Sequence, residues 1–227
     1  MPPLDFDAAR NRMVRDQLEA RNISDPAVLR AMRTVPRHQF VPTEMQQYAY
    51  NDSALPIGLE QTISQPYIVA YMLEQLAFTG SEDVLEIGTG SGYLTALLCE
   101  LAGHVISVER HQQLAERAGQ HLDKLNCSNV EILVGDGSQG LPDMAPFDVI
   151  VVSAAAPSIP RVLMTQLSDQ GRMILPVGDQ DRQYLEKVVR AGSSWHVEQL
   201  MQVVFVPLLG KHGFIEQPQK HKHKRRA

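Results

Sequence analysis

Glu86-Ile87-Gly88-Thr89-Gly90-Ser91-Gly92, followed by Tyr93, is the stretch whose reading decides the fold. It closes a short β-branched run at 84–87 and opens a helical pattern. A strand therefore passes into a helix through a turn of three glycines, where bare backbone can approach a ligand closely. Working outward, apolar runs at 104–109, 130–134, 147–152 and 172–177 alternate with helical stretches, and the first four strands are spaced by about one βα unit, as a parallel sheet requires. Two further runs, 184–190 and 202–207, flank the turn Ala191-Gly192-Ser193 and are expected to pair antiparallel at one end of the sheet. The expected class is α/β, a Rossmann-like, doubly wound and mostly parallel sheet.

A lone glycine turn is weak evidence of a ligand, so spacing and charge must discriminate. A dinucleotide site wants a small residue where this chain has Tyr93, and Glu86 at the strand's mouth would repel a pyrophosphate. The same carboxylate suits the ammonium and sulfonium charges of S-adenosyl-L-methionine. Glu109 stands 21 positions after Gly88 at the end of the second strand, where an acid can accept from ribose hydroxyls, and Asp136-Gly137 ends the third, where it could face an adenine amino group. The expected cofactor-binding set is Glu86, Gly88, Thr89, Gly90, Gly92, Glu109, Asp136 and Gly137. Taken singly, each acid has a plain alternative as a helix cap or turn former.

The acceptor is read from the fourth strand's exit, Ser153-Ala154-Ala155-Ala156-Pro157. Methylation of an exocyclic amine wants an amide or acid there, and this run has neither. An acceptor that is already ionised at neutral pH, such as a carboxylate with a pKa near ~4, needs no general base. Bringing such a group to a sulfonium cancels two charges, so alignment in a dry pocket matters more than proton transfer. Gln61-Thr62-Ile63-Ser64-Gln65-Pro66 offers hydrogen-bond donors for that pocket.

The opening third reads as helical and loop-rich. An exposed amphipathic helix is expected over 6–21, Ser24-Asp25-Pro26 starts a second, closely placed prolines follow, and a helix is expected from Tyr67. At 227 residues with 44% apolar and 21% charged side chains, the chain has material for one core with an appendage. The expected division is a helical cap and substrate loop at 1–80, the cofactor-binding body at 81–210, and a basic tail at 211–227. The net charge is −5, and the five cations behind Glu216 make that end +4 while the remainder is −9. An acidic body argues against a nucleic-acid surface. No run reaches the ~20 apolar residues of a membrane span, and the charged N-terminus lacks a secretory pattern, so a cytoplasmic protein is expected. Cys99 and Cys127 form no CxxC motif and read as reduced thiols, with no metal expected.

Beyond these local signals, Val35-Pro36-Arg37-His38 with Phe40-Val41-Pro42, Ala54-Leu55-Pro56-Ile57-Gly58, the run 61–70, the run 84–93, Gly135-Asp136-Gly137 and Phe205-Val206-Pro207-Leu208 occur in order across residues 10–210. This series resembles the protein-L-isoaspartate O-methyltransferase family. The resemblance implies a seven-stranded class I methyltransferase sheet with an N-terminal helical cap. It implies methyl transfer to the free α-carboxylate of L-isoaspartyl residues of damaged proteins, with D-aspartyl residues as a further candidate acceptor and S-adenosyl-L-homocysteine as product. It further implies that Ser64 is the active-site serine, that Thr62, Ile63, Ser64 and Gln65 bind substrate, and that the N-terminal region and C-terminal strand close over it. Two departures stand out: Leu94-Thr95 where many members have Gln-Ala, and Ser153 where threonine is usual. Without the resemblance, Ser64 could equally be a helix cap, and Arg37 and His38 read as surface residues anchoring the cap. Isoaspartyl proteins are the expected partners of a monomer, with no membrane or specific nucleic acid. The alternatives are a methyltransferase acting on RNA or a small molecule, and a non-catalytic binding protein.

Overall fold

Asp5 and Asp25 set the first two helices. The computed structural model describes residues 4–179 and 181–215. Asp5 accepts from the Ala8 amide and starts α1 (Phe6–Met13), which runs on as a π turn over Val14–Leu18 and a 3₁₀ turn over Glu19–Arg21. Met13, Val14 and Leu18 are buried while Asn11, Arg12, Arg15 and Asp16 are exposed, so the stretch is amphipathic as expected, with its apolar side built into the core. Asp25 accepts from the Ala27 and Val28 amides, and Pro26 occupies the first turn of α2 (Pro26–Thr34), as the sequence predicts. Two 3₁₀ turns, Arg37–Phe40 and Thr43–Tyr48, carry the chain to a small antiparallel hairpin of β1 (Leu55–Gly58) and β2 (Gln61–Ile63), which the prolines had hidden. Helix α3 (Pro66–Leu76) follows.

The body then alternates β3 (Asp83–Ile87), α4 (Tyr93–Leu101), β4 (His104–Glu109), α5 (Gln112–Lys124), β5 (Val130–Val134), β6 (Phe147–Val152), α6 (Arg161–Met164) and β7 (Leu167–Gly178), and ends in β8 (Gln183–Ala191) and β9 (Ser194–Val203). The seven strands lie in the order β5-β4-β3-β6-β7-β8-β9. The first five in that order are parallel neighbours, and β8 is antiparallel to both β7 and β9. The order reverses between β3 and β6, and at such a switch point a crevice opens outside the strands' C-terminal ends.

The expected last strand at 202–207 is displaced. β9 begins directly after the turn, at Ser194, and is largely exposed. An edge strand of Ser, His, Glu and Gln carries no apolar alternation to read. The apolar residues after Val203 leave the sheet instead, and Pro207 bridges to Ala155 above the strand ends.

Both faces of the parallel sheet are covered. Val84, Val105, Val149 and Ile174 share one continuous cluster with residues of α2, α3 and α4 and of the N-terminal turns. Leu85, Ile106, Ile150 and Met173 pack on the opposite face with Leu163 of α6. Each such side chain contributes roughly 1.5–3 kcal/mol on full burial. The N-terminal segment therefore stands on the same core as the α/β body. The basic run behind Glu216 lies outside the described residues.

Candidate active site

The glycine turn forms the floor of a cleft at the ends of β3 and β4. Gly88, Gly90 and Gly92 all have positive φ, at 94°, 56° and 87°. Gly92 ends the turn as the left-handed N-cap of α4, and a Cβ there would lie 3.0 Å from the Ala118 Cβ, so the turn is seated tightly against α5. At Gly137, on the opposite wall, a Cβ would meet Ile87 Cγ2 at 2.6 Å. Only glycine lets the Ile87 side chain pack this closely against the backbone there.

The cleft is lined by Ile87, Gly88, Thr89, Gly90, Glu109, His111 and Gly137, by Thr62, Ile63 and Ser64 at the end of β2 and just after it, by Ser153 and Ala154 after β6, and by Val206–Leu209. A second groove adjoins it, lined by Arg21, Thr62, Ser64, Gln65, Ser153 and the segment 201–206. Thr62, Ser64, Ser153 and Val206 border both spaces. Gln65 faces the groove, and its Nε2 donates to the Asp52 carbonyl at 3.2 Å.

Glu109 ends β4 and lines the cleft. It is buried at the cleft's edge, where Oε2 accepts the Gly90 amide at 2.8 Å and Oε1 accepts the His111 amide at 2.9 Å. These two backbone donors hold the carboxylate in orientation while it lines the cleft.

Glu86 and Asp136 stand differently from expectation. Glu86 points away from the cleft, on the α4 side of β3, and is fully buried. Its Oε2 accepts from Thr95 and Ser107 hydroxyls, each at 2.6 Å, and burial pushes its pKa up to about 7 against the pull of those two donors. Ser107 in turn touches the Thr89 hydroxyl at 2.5 Å, so the carboxylate meets the cleft through Ser107 and Thr89. Thr95, one of the two departures named above, is thus tied through Glu86 and Ser107 to Thr89 of the glycine turn.

Asp136 does not line the cleft. Its carboxylate accepts from the Ser138 amide and hydroxyl, from Gln139 Nε2 and, at 2.9 Å, from the Lys211 amide. Burial opposes its ionisation, yet these bonds hold its pKa below the ordinary aspartate range. It clasps the C-terminal segment whose Pro207, Leu208 and Leu209 wall the cleft.

Ser64 follows β2, and the N-cap of α3 is Gln65, which makes no side-chain cap bond. Plain capping is therefore not the work of Ser64. Arg37 is wholly buried, a correction to its reading as a surface residue, because two backbone carbonyls and a tyrosine face surround it. His38 is half-buried, stacked on Phe6 with ring centroids 4.0 Å apart and hydrogen-bonded to Tyr50; burial lowers its pKa. It does not line the cleft.

Sequence reasoning did not single out His111, Ser107 or Leu209. His111 could have been noticed from its place just beyond the second strand's carboxylate. Ser107 could have been noticed as a polar residue inside an apolar strand. Among the described residues, no group of three or more His, Cys, Asp or Glu is placed to hold a metal ion, and no helix is long and apolar enough to cross a membrane.

The protein-L-isoaspartate(D-aspartate) O-methyltransferase family model matches residues 8–213. The protein-L-isoaspartate O-methyltransferase 1 of Rhodopseudomonas palustris (strain HaA2) is 51% identical over 211 residues, which cover 92% of this chain and 86% of that one. The protein-L-isoaspartate O-methyltransferase of Methanoculleus marisnigri is 50% identical over 205 residues, covering 90% and 93%. Among solved structures, a protein-L-isoaspartate O-methyltransferase superposes with a TM-score of 0.80 at 28% identity, covering 90% of this chain and 67% of that one.

Proposed function

The chain belongs to the protein-L-isoaspartate(D-aspartate) O-methyltransferase family, and from that premise we propose how its own residues carry the reaction. The enzyme methylates the free α-carboxylate of L-isoaspartyl residues in damaged proteins, which starts their repair through a succinimide. S-adenosyl-L-methionine supplies the methyl group as a sulfonium electrophile. Gly88, Gly90 and Gly137 present bare backbone along the cleft, which suits a closely held cofactor.

On this reading Glu109 receives ribose hydroxyls, and Gly88, Thr89, Gly90 and Gly137 shape the cofactor's bed. Gly92 fixes the turn on α5. Glu86 acts indirectly, setting Thr89 through Ser107. Asp136 serves by holding the 207–211 segment over the cleft. Residues 1–80 supply the cap and the substrate loop, 81–210 form the cofactor-binding body, and the chain acts as a monomer in the cytoplasm.

Ser64 orients the acceptor carboxylate by hydrogen bonding, with Thr62, Ile63 and Gln65 holding the flanking backbone. No base is required, since the acceptor is ionised at neutral pH. Excluding water strengthens the attraction between carboxylate and sulfonium until bond formation removes both charges. The resulting ester has a better leaving group, so the following backbone nitrogen closes the succinimide without further help from the protein.

The observation that carries this reading is the place of Ser64, on the boundary shared by the cofactor cleft and the adjoining groove. The test is methyl transfer to matched peptides that differ only in an isoaspartyl or an aspartyl residue. Base-labile label on the isoaspartyl peptide alone is expected, and equal labelling of both peptides would overturn the reading.

A further inference from the structure

Arg37 is among the largest fully buried side chains of the protein, and it is a cation. Its Nε donates to the Ala49 carbonyl at 2.7 Å, and its Nη2 donates to the Ser64 carbonyl at 2.8 Å. Its guanidinium carbon stands 4.9 Å from the centre of the Tyr93 ring, the first residue of the helix that leaves the glycine turn. No carboxylate pairs with it among the described residues. Desolvation brings its pKa down to about 10, so it remains charged at neutral pH.

Burying an uncompensated cation is costly, and an apolar side chain of similar size would fill the same volume without that penalty. What the apolar substitute could not do is join three segments at once. The planar fork of arginine reaches one carbonyl at the end of a 3₁₀ turn and another in the substrate loop, and its guanidinium carbon lies over a ring anchored at the cofactor turn. The Tyr93 ring also packs edge-on against Phe40, so a second aromatic contact holds it in place.

We propose that Arg37 is a positioning residue: through the Ser64 carbonyl and the Tyr93 ring it fixes the substrate loop relative to the glycine turn, and so sets the distance between acceptor and donor. This inference rests on the assignment of Ser64 to the acceptor site. Arg37 lines neither the cleft nor the groove, so it acts entirely through the residues it holds.

Lysine keeps the charge but presents a compact head that cannot span both carbonyls in one plane. The test compares wild type with Arg37→Lys and the apolar, volume-matched Arg37→Met, measuring kcat and KM on an isoaspartyl peptide, S-adenosyl-L-homocysteine affinity by calorimetry, and the melting temperature. Both variants should lose roughly tenfold to a hundredfold in kcat at temperatures where they are folded, because sub-ångström misplacement of reacting groups acts on the chemical step. Cofactor-product affinity should stay within about threefold, as Arg37 holds the turn from behind without lining the cleft. A purely structural role would lower the melting temperature and leave kcat per folded molecule unchanged, and that result in either variant overturns the inference. Ser64→Ala, assayed in parallel, separates the two levels. If Ser64→Ala is impaired while Arg37→Lys is not, the positioning role fails and the site stands, whereas full turnover in Ser64→Ala removes the site assignment itself.

Discussion

The carboxylate of Glu109 holds the backbone amide of Gly90 at 2.8 Å, so the end of β4 fixes the shape of the turn that follows β3. One side chain therefore both lines the cleft and maintains its floor. Glu109→Ala leaves the Gly90 and His111 amides without this partner, and a hydrogen bond to a charged group is worth ~1.5–3 kcal/mol. S-adenosyl-L-homocysteine should bind at least about tenfold more weakly by calorimetry. An affinity within twofold of wild type would contradict this role.

Glu86 predicts a pH dependence. Its folded pKa of about 7 lies above the ordinary glutamate value, so the native state binds the proton more tightly than the unfolded chain does. Its contribution is therefore complete at low pH and is lost as pH rises from the unfolded value of ~4.3 through the folded value near 7. Glu86→Gln keeps an oxygen for Thr95 and Ser107 and removes the titration. The difference in denaturant stability between variant and wild type should move in the variant's favour between pH 5 and 8, by on the order of a few kcal/mol at most. A pH-independent difference would show that the carboxylate does not titrate in that window.

Asp136 predicts a loosening confined to one segment. Asp136→Ala removes the acceptor of the Lys211 amide and of both Ser138 donors. Amides at 208–214 should exchange with solvent roughly tenfold faster or more, while those of β3 and β4 keep their protection. The folded pKa of Asp136 is depressed, so the clasp is intact above the unfolded value of ~3.9 and is lost as pH falls through the folded one. The same segment should therefore open first on acidification.

Gly137→Ala tests the opposite wall. The new Cβ would lie 2.6 Å from a methyl of the buried Ile87, and forced repacking of this kind costs ~1–3 kcal/mol. Both the melting temperature and cofactor-product affinity should fall. A substitution neutral in both would mean that Ile87 yields freely.

Much of the site was legible before the fold was known. The glycine turn at 88–92, the carboxylate at 109 and the Asp25-Pro26 helix start are local signals: each depends on backbone conformation or on the spacing of one βα unit, which neighbouring residues alone dictate. The side that Glu86 faces was not legible. Both faces of β3 are covered, so Val84, Leu85 and Ile87 are all buried, and strict alternation gives no hint of which face looks toward the cleft.

The sequence by itself determined the sheet's class, the glycine turn and, through its resemblance, the chemistry, because these are written in short runs whose physics is local. Tertiary structure alone decided that Arg37 lies inside, that Asp136 is committed to the C-terminal segment, and that Ser64 borders two spaces. Each of these depends on which distant segments meet, and a charged residue is placed at the surface by every local rule until carbonyls from elsewhere in the chain are brought to surround it.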